Sequence, residues 1–233
     1  MPAKSSISPD HWSAELARRV TALLGEKLLL TLLLNIVFWG GYGWLSRQAF
    51  FSVRQMATTW LDKAVPFAPD FWAWIYLSQF VLTGGVPWLI EQREVLWRYA
   101  TGLLLLSGLS FAVFLFFPVA SPRPAGVVFV GPMAWIARYD GAYNAFPSLH
   151  AGFLFLIGGL GWRMFARRPS VRVVTVYVLW ACAILYSTLA TRQHFAWDLV
   201  AGLGLGWFAD GVAWRKYVSN GRSLSGKPGL GLP

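Results

Sequence analysis

Charged side chains are scarce in this sequence, in which Asp, Glu, Lys and Arg make up 13% of 233 residues. Soluble domains usually carry about 25%. Hydrophobic residues make up 56% of the chain and gather in long runs. The scarcity of charge excludes the one or two soluble domains that the length alone would allow, and it indicates a single membrane domain.

Cysteine is nearly absent. Cys182 is the only one and lies within an apolar run, so the chain can form neither an internal disulfide nor a cysteine-based metal cluster. The N-terminus is polar as far as Lys27 and lacks an early apolar core with a small-residue cleavage site. We therefore expect no cleaved signal peptide and a first span that acts as an uncleaved insertion signal.

Acidic residues are also few, and the formal net charge is +10. Nucleic-acid-binding proteins carry such charges, but basic residues also flank membrane spans on the cytoplasmic side, where they meet anionic lipids. The 14 tryptophans favour the second interpretation, because Trp gathers at membrane interfaces. We therefore predict a bilayer as partner and no nucleic acid. The sequence does not indicate an oligomeric state.

Six apolar runs predict an all-α, polytopic membrane protein built as a bundle of six transmembrane helices. A hydrocarbon core of about 30 Å needs about 20 helical residues, and these runs are too long and too uniformly apolar for the strands of a membrane barrel. The expected spans are 28–46, 71–90, 95–117, 147–163, 171–190 and 195–214.

Polar segments flank the predicted six-helix membrane domain, 28–214. Segment 1–27 is amphipathic, and Ser8-Pro9-Asp10 resembles a helix start, so we predict an interfacial helix on the cytoplasmic surface. A poorly ordered leader is the alternative. Segment 215–233 is rich in Gly, Ser and Pro and is expected to be a flexible cytoplasmic tail.

The distribution of basic residues predicts the orientation. With the N-terminus inside, 14 of the 20 Lys and Arg residues fall in cytoplasmic segments. This bias predicts that both termini are cytoplasmic. The loops that carry Arg123 and Arg192 are then expected on the outer side.

Three polar clusters beside the spans are candidates for function, because polar residues are costly in a bilayer. In the first, prolines stiffen the loop around Arg123, whose planar guanidinium suits phosphate oxygens. In the second, Pro147 suits the first turn of a helix, which would place Ser148 and His150 at a helix N-terminus that favours an anion. Each also has a purely structural interpretation, as a lipid-facing Arg and a span-end His.

The third cluster contains Arg192, His194 and Asp198. His194 and Asp198 are four residues apart and share a helix face, so the carboxylate can fix the imidazole tautomer and leave the other nitrogen as nucleophile or base. A structural His–Asp pair is the alternative. A metal site made of two His and one Asp is disfavoured, because the nearby Arg residues would repel a cation.

Taken in order, the clusters read Arg-Pro, Phe-Pro-Ser-Leu-His and His-x-x-x-Asp. This joint pattern resembles the type 2 phosphatidic acid phosphatase superfamily, the lipid phosphate phosphatases. The resemblance covers roughly 95–214, and the six-span count extends it over most of the chain.

The chain departs from the family signature in three places. Phe116 stands where the family has Lys, Leu149 where it has Gly, and Thr188 where it has Arg. Arg192 would supply the missing charge. The Phe-Pro-Ser-Leu-His form, with a basic residue shortly before the second His, is similar to the subgroup that includes inositol phosphorylceramide synthases, which are phosphotransferases.

The resemblance implies a role for each matching residue. His194 would attack phosphorus and form a phosphohistidine, Asp198 would orient His194, and His150 would protonate the leaving oxygen and then activate the acceptor. Phosphoryl oxygens would be bound by Arg123, Arg192 and Ser148. The family needs no metal or other cofactor.

We therefore expect an enzyme that acts on a lipid-linked phosphate or diphosphate at the outer face of a membrane. The expected membrane is a bacterial inner (plasma) membrane, with the site facing the periplasm. Water as acceptor gives a phosphatase, which we favour, and an alcohol acceptor gives a phosphotransferase. The rival hypotheses are a transporter with a His194–Asp198 proton relay and a non-catalytic membrane scaffold.

Overall fold

The structure, a computed structural model, describes residues 9–164 and 170–219. The described residues form helices and no strand, as the sequence predicts; two isolated bridges join Arg54 to Val119 and Val119 to Asn144. Residues 1–8, 165–169 and 220–233, which include most of the expected C-terminal tail, lie outside the described residues. The helices are α1 Pro9–Thr21, α2 Leu24–Leu45, α3 Trp60–Ala64, α4 Pro69–Leu77, α5 Gln79–Gly85, α6 Arg93–Phe116, α7 Gly131–Tyr139, α8 Leu149–Met164, α9 Val171–Ala190 and α10 Ala196–Ser219.

Three described helices are long and apolar enough to cross a membrane: α2, α6 and α9. The other three expected spans are helical too, but their helices do not meet both the length and the hydropathy needed to cross a membrane. The second span is a path of α4, α5 and a 3-10 turn, Val86–Leu89. The break between α4 and α5 falls at Ser78, whose hydroxyl donates to the Ile75 carbonyl at 2.6 Å. After α5 the chain forms the 3-10 turn at Pro87, because proline cannot continue an α-helix.

The start of the first long helix differs from the sequence prediction. The helix α2 begins at Leu24, after a left-handed residue, Leu23, at φ 56°. Lys27, expected in the polar segment, therefore lies inside α2 and is 2% exposed. Its ammonium donates to the carbonyls of Arg19 at 2.6 Å and Trp88 at 2.7 Å. These two bonds satisfy the buried charge and tie α1 and the 3-10 turn to α2.

Close packing of α8 against α10 determines where the polar clusters meet. A Cβ on Gly206 would lie 2.7 Å from the Gly152 carbonyl oxygen, and one on Gly152 would lie 3.2 Å from the Gly202 carbonyl oxygen. Glycines let the two backbones touch, as small residues do between membrane helices. At the other end of this helix pair, Arg163 binds Asp210 with two hydrogen bonds, at 2.9 and 2.6 Å. The N-termini of α8 and α10 consequently lie side by side.

Candidate active site

The two candidate histidines lie close together at the adjoining starts of α8 and α10. The His150 and His194 rings lie edge to face, at a centroid distance of 5.6 Å and an interplanar angle of 65°. The His150 ring also packs on Tyr76, at 4.1 Å between centroids. Two imidazoles at this spacing can both contact one small group bound beside them.

His194 is oriented mainly by a backbone carbonyl. Its Nδ1 lies 2.8 Å from the Ala145 oxygen and 3.6 Å from Asp198 Oδ2. Because a carbonyl only accepts hydrogen bonds, Nδ1 carries the proton and Nε2 keeps its lone pair. The orienting role that the sequence assigned to Asp198 is therefore shared with Ala145.

Asp198 is fully buried and also caps its own helix. Its Oδ2 accepts the Phe195 N–H at 2.7 Å, and its backbone oxygen accepts the Ser148 N–H at 3.0 Å. The second bond joins the start of α10 directly to the start of α8. A carboxylate is favoured at this position because the N-terminus of a helix carries partial positive charge.

Ser148 precedes α8 and caps it, since its Oγ accepts the Ala151 N–H at 3.4 Å. The helix begins at Leu149, so the sequence prediction that Pro147 occupies the first turn is wrong. Pro147 instead lies two residues before the first helical residue, outside the first turn. His150 still falls in the first turn, where free N–H groups favour an anion.

Arg123 lies beside the nucleophile candidate and is held from two sides. Its Nε donates to Gln193 Oε1 at 3.0 Å, and a second nitrogen also contacts that oxygen. Its Nη1 donates to the Asp140 carbonyl at 3.0 Å, and its Nη2 lies 3.6 Å from the Asp140 carboxylate. Arg123 is thus positioned through the residue that immediately precedes His194.

The sequence predicts Arg192 as a phosphate ligand, but in the structure its guanidinium binds backbone carbonyls. Two of its nitrogens donate to the carbonyls of Asp62, at 2.7 Å, and Val65, at 2.9 Å. The Asp62 carboxylate in turn accepts the Ala196 N–H at 2.8 Å. The guanidinium therefore ties α3 to the loop that carries His194, and only its remaining N–H groups are left for other partners.

Sequence reasoning missed Asp140 and Gln193. The Asp140 carboxylate accepts from the hydroxyls of Tyr42 and Tyr76 and from the Asn144 amide at 3.0 Å. It joins α2, α4 and the loop before α8 around Arg123. The available signal was an acidic residue in a loop next to a span, which is a functional candidate by the same argument as the others.

Two of the three departures from the family signature, Phe116 and Thr188, fall where the family has a basic residue. Phe116 is 62% exposed at the end of α6. Thr188 is buried in α9, and its carbonyl accepts the backbone N–H groups of Gln193 and His194 at 2.9 and 3.3 Å. Neither residue brings a cation to the site, where Arg123 bonds to Gln193 and Arg192 lies two residues before His194.

Comparison with known proteins gives one match. A family model described as PAP2 superfamily matches residues 44–210, which include all three clusters. Neither the curated proteins nor the solved structures contain a match.

Proposed function

This chain belongs to the PAP2 superfamily, and from that membership we propose that it is a lipid phosphate phosphatase that works through a phosphohistidine intermediate. The membership supports a phosphatase-type enzyme. One observation carries the mechanism: His194, with Nε2 free to attack, faces His150 at 5.6 Å between ring centroids. The substrate is a lipid-linked phosphate or diphosphate.

In the first step, His194 Nε2 attacks phosphorus, an N–P bond forms and the bond to the lipid oxygen breaks. His150 donates its proton to that leaving oxygen. The His194 imidazole becomes cationic when the N–P bond forms, and the Ala145 carbonyl and Asp198 carboxylate beside its Nδ1 stabilise that charge. In the second step, water attacks phosphorus while His150 accepts its proton, the N–P bond breaks and phosphate leaves.

The phosphoryl oxygens would lie between the start of α8 and the basic side chains. Ser148, the first N–H groups of α8 and Arg123 supply hydrogen bonds and positive charge to the developing negative charge. Arg192 adds charge, with the N–H groups that α3 does not use. No step needs a metal ion or another cofactor.

The proposal includes six membrane spans, with the site at the periplasmic face of a bacterial inner membrane and both termini in the cytoplasm. It is supported by three helices of sufficient length and hydropathy and by the bias of basic residues. In this arrangement α1 lies on the cytoplasmic surface as an interfacial helix.

Transfer to an alcohol is the second candidate reaction. It is favoured by the Phe146-Pro147-Ser148-Leu149-His150 sequence, which is similar to that of inositol phosphorylceramide synthase-like phosphotransferases. The chemistry up to the phosphohistidine is the same in both reactions. They differ only in the acceptor that His150 activates.

The direct test is phosphate release by the purified full-length chain over a panel of lipid phosphates, with and without polyols and a chelator. We expect release from at least one lipid, insensitive to the chelator, and none from His194→Ala. A polyol-dependent lipid product would favour the transferase. Transport without phosphate release, or activity that survives His194→Ala, would reject the proposal in favour of a transporter or scaffold.

A further inference from the structure

A long cavity leads away from the two histidines, and it is open along part of its side, where the lining residues Val37, Trp39 and Phe80 are 51%, 41% and 42% exposed. Its volume is about 370 Å³, and it lies between α2, the α4–α5 path, α6 and the start of α8. His150 and Asp140 line one end, and Lys27 and Trp88 line the other. The proposed chemistry uses only the first of these ends.

The histidine end is polar and firmly built. Tyr76 lies in the wall of the cavity, where its ring packs against His150 and its hydroxyl donates to the Asp140 carboxylate. Gln79 donates to the His150 carbonyl at 3.2 Å. A phosphate at the histidines would therefore sit at the mouth of the cavity, with its substituent directed inward.

The opposite end of the cavity is bounded by Lys27 and Trp88. The Lys27 ammonium lies between the carbonyls of Arg19 and Trp88, so α1 and the 3-10 turn meet there. Between the two ends, the described lining residues carry no formal charge, and most are apolar. They include Leu30, Leu34, Phe38, Leu77, Leu96 and Leu103. Of the polar lining residues, Asn35 bonds within its own helix, to Thr31 and Trp39. Such a lining favours hydrocarbon over water.

The cavity is longer than one leaflet of a bilayer. Its lining on α2 runs from Lys27 to Tyr42, a rise of about 22 Å at about 1.5 Å per residue. One leaflet contributes half of a hydrocarbon core of about 30 Å, which is roughly 15 Å. An ordinary acyl chain spans one leaflet and would leave the far third of the cavity empty.

We propose that this cavity binds the hydrocarbon chain of the substrate and selects lipid phosphates whose chain exceeds one leaflet, such as polyprenyl phosphates, over ordinary diacyl lipids. The inference rests on the proposed function, because it places the phosphate at His150 and His194. The chain then runs along α5 and α2 towards Lys27. Each further chain segment that packs against the apolar lining adds van der Waals contacts, so binding strength rises with chain length up to the length of the cavity.

Two neighbouring glycines in α5 offer a matched pair of variants. Gly84 lines the cavity, Gly85 does not, and a Cβ at either position would meet nothing within 4 Å. Gly84→Phe therefore places a ring in the path of the chain below the level of Gln79. Gly85→Phe adds the same ring to the same helix outside the described cavity.

The experiment measures phosphate release by the full-length protein in detergent from four probes. They are a long polyprenyl phosphate, a diacyl lipid phosphate, a short isoprenoid phosphate whose chain ends above Gly84, and a water-soluble aryl phosphate. The unmodified chain should prefer the long lipid over a diacyl lipid phosphate in kcat/KM. Gly84→Phe should lower kcat/KM for the long lipid about tenfold or more, the scale of discrimination that hydrophobic pockets reach. The short lipid, the aryl phosphate and all Gly85→Phe rates should stay within about twofold.

Other outcomes overturn the inference. Equal rates on long and diacyl lipids, or equal losses in both glycine variants, would mean that the cavity holds structural lipid only. If the unmodified chain hydrolyses none of the four probes, the proposed function itself fails. Hydrolysis of the aryl phosphate with no preference among lipids leaves the function standing and rejects the chain-binding cavity.

Discussion

At the scale of single residues, His150 and His194 differ in what surrounds them. The Ala145 carbonyl fixes the proton of His194 on Nδ1, whereas His150 packs on the Tyr76 ring. The first arrangement prepares a nucleophile. The second leaves the imidazole nitrogens of His150 without such a fixed acceptor among its described contacts, which suits a group that must both give and take a proton.

Separate substitutions should divide these roles. His194→Ala should abolish both steps and leave no covalent phosphoenzyme. His150→Ala should slow cleavage of a lipid alkoxide by about 100- to 10,000-fold, the usual contribution of a general acid. An aryl ester should recover part of that loss, because its leaving group needs no proton. Rapid-quench trapping of labelled phosphate provides the measurement, and label on His150 instead of His194 would reverse the assignment.

Arg192 combines a charge with a mechanical contact, and two variants separate these. Arg192→Ala should lower turnover strongly, because charge-assisted contacts to a phosphoryl group contribute about 3 kcal/mol. Arg192→Gln removes the charge but can still donate to the Asp62 or Val65 carbonyl. If charge matters most, both variants should lose kcat equally. Substantial recovery in Arg192→Gln would show that the residue acts by holding α3, and that phosphate is neutralised by Arg123.

At the scale of elements, the contact between α8 and α10 controls the distance between the candidate catalytic groups. A Cβ on Gly202 would collide with the Ser148 carbonyl oxygen, whereas a Cβ on Gly204 would meet nothing within 4 Å. The Ser148 side chain caps α8 and its N–H binds Asp198. Pushing these helices apart would therefore disturb the phosphate site and the nucleophile together.

Gly202→Ala should destabilise the protein by about 1–3 kcal/mol, as overpacking usually does, and should also lower turnover. Gly204→Ala is the matched control, since it makes the same chemical change in the same helix without a clash. Thermal unfolding in detergent and phosphate release measure the two effects. Equal behaviour of the two variants would show that α8 and α10 do not need to touch at this point.

At the scale of the whole molecule, the loops that carry the site belong to one end of the bundle. Strand-like bridges join Arg54, Val119 and Asn144, and the Ser46 carbonyl accepts the Tyr143 N–H at 3.1 Å. At the other end, Arg98 at the start of α6 donates to the Ala213 carbonyl near the end of α10, at 2.9 Å. The proposed topology places the first end outside the cell and the second in the cytoplasm.

Cysteine accessibility tests this topology. Val128 is 87% exposed in the loop before α7, and Ser170 is exposed just before α9. The native Cys182 is itself exposed, so it must first be replaced by Ser. In intact cells, a membrane-impermeant thiol reagent should label Val128→Cys only, and Ser170→Cys should react after the membrane is opened. The reverse labelling pattern would show that the protein has the opposite orientation in the membrane.

The sequence by itself determined the class of protein and the residues that meet at the site. Low charge and long apolar runs require helices in a bilayer, since other open structures leave backbone groups unsatisfied there. The order and spacing of Arg123, His150, His194 and Asp198 indicated the family, which the PAP2 superfamily match confirms. These conclusions depend on composition and order along the chain, which need no knowledge of three-dimensional contacts.

Only the tertiary structure decided how those residues are held. Ala145 shares the orientation of His194, Asp140 and Gln193 hold Arg123, and Arg192 is bound by α3. All of these contacts join segments that are distant in sequence or use backbone carbonyls, which every residue carries, so no residue pattern marks them. The cavity from His150 to Lys27 is likewise invisible in the sequence, because a lining leucine and a lipid-facing leucine look alike until the helices pack.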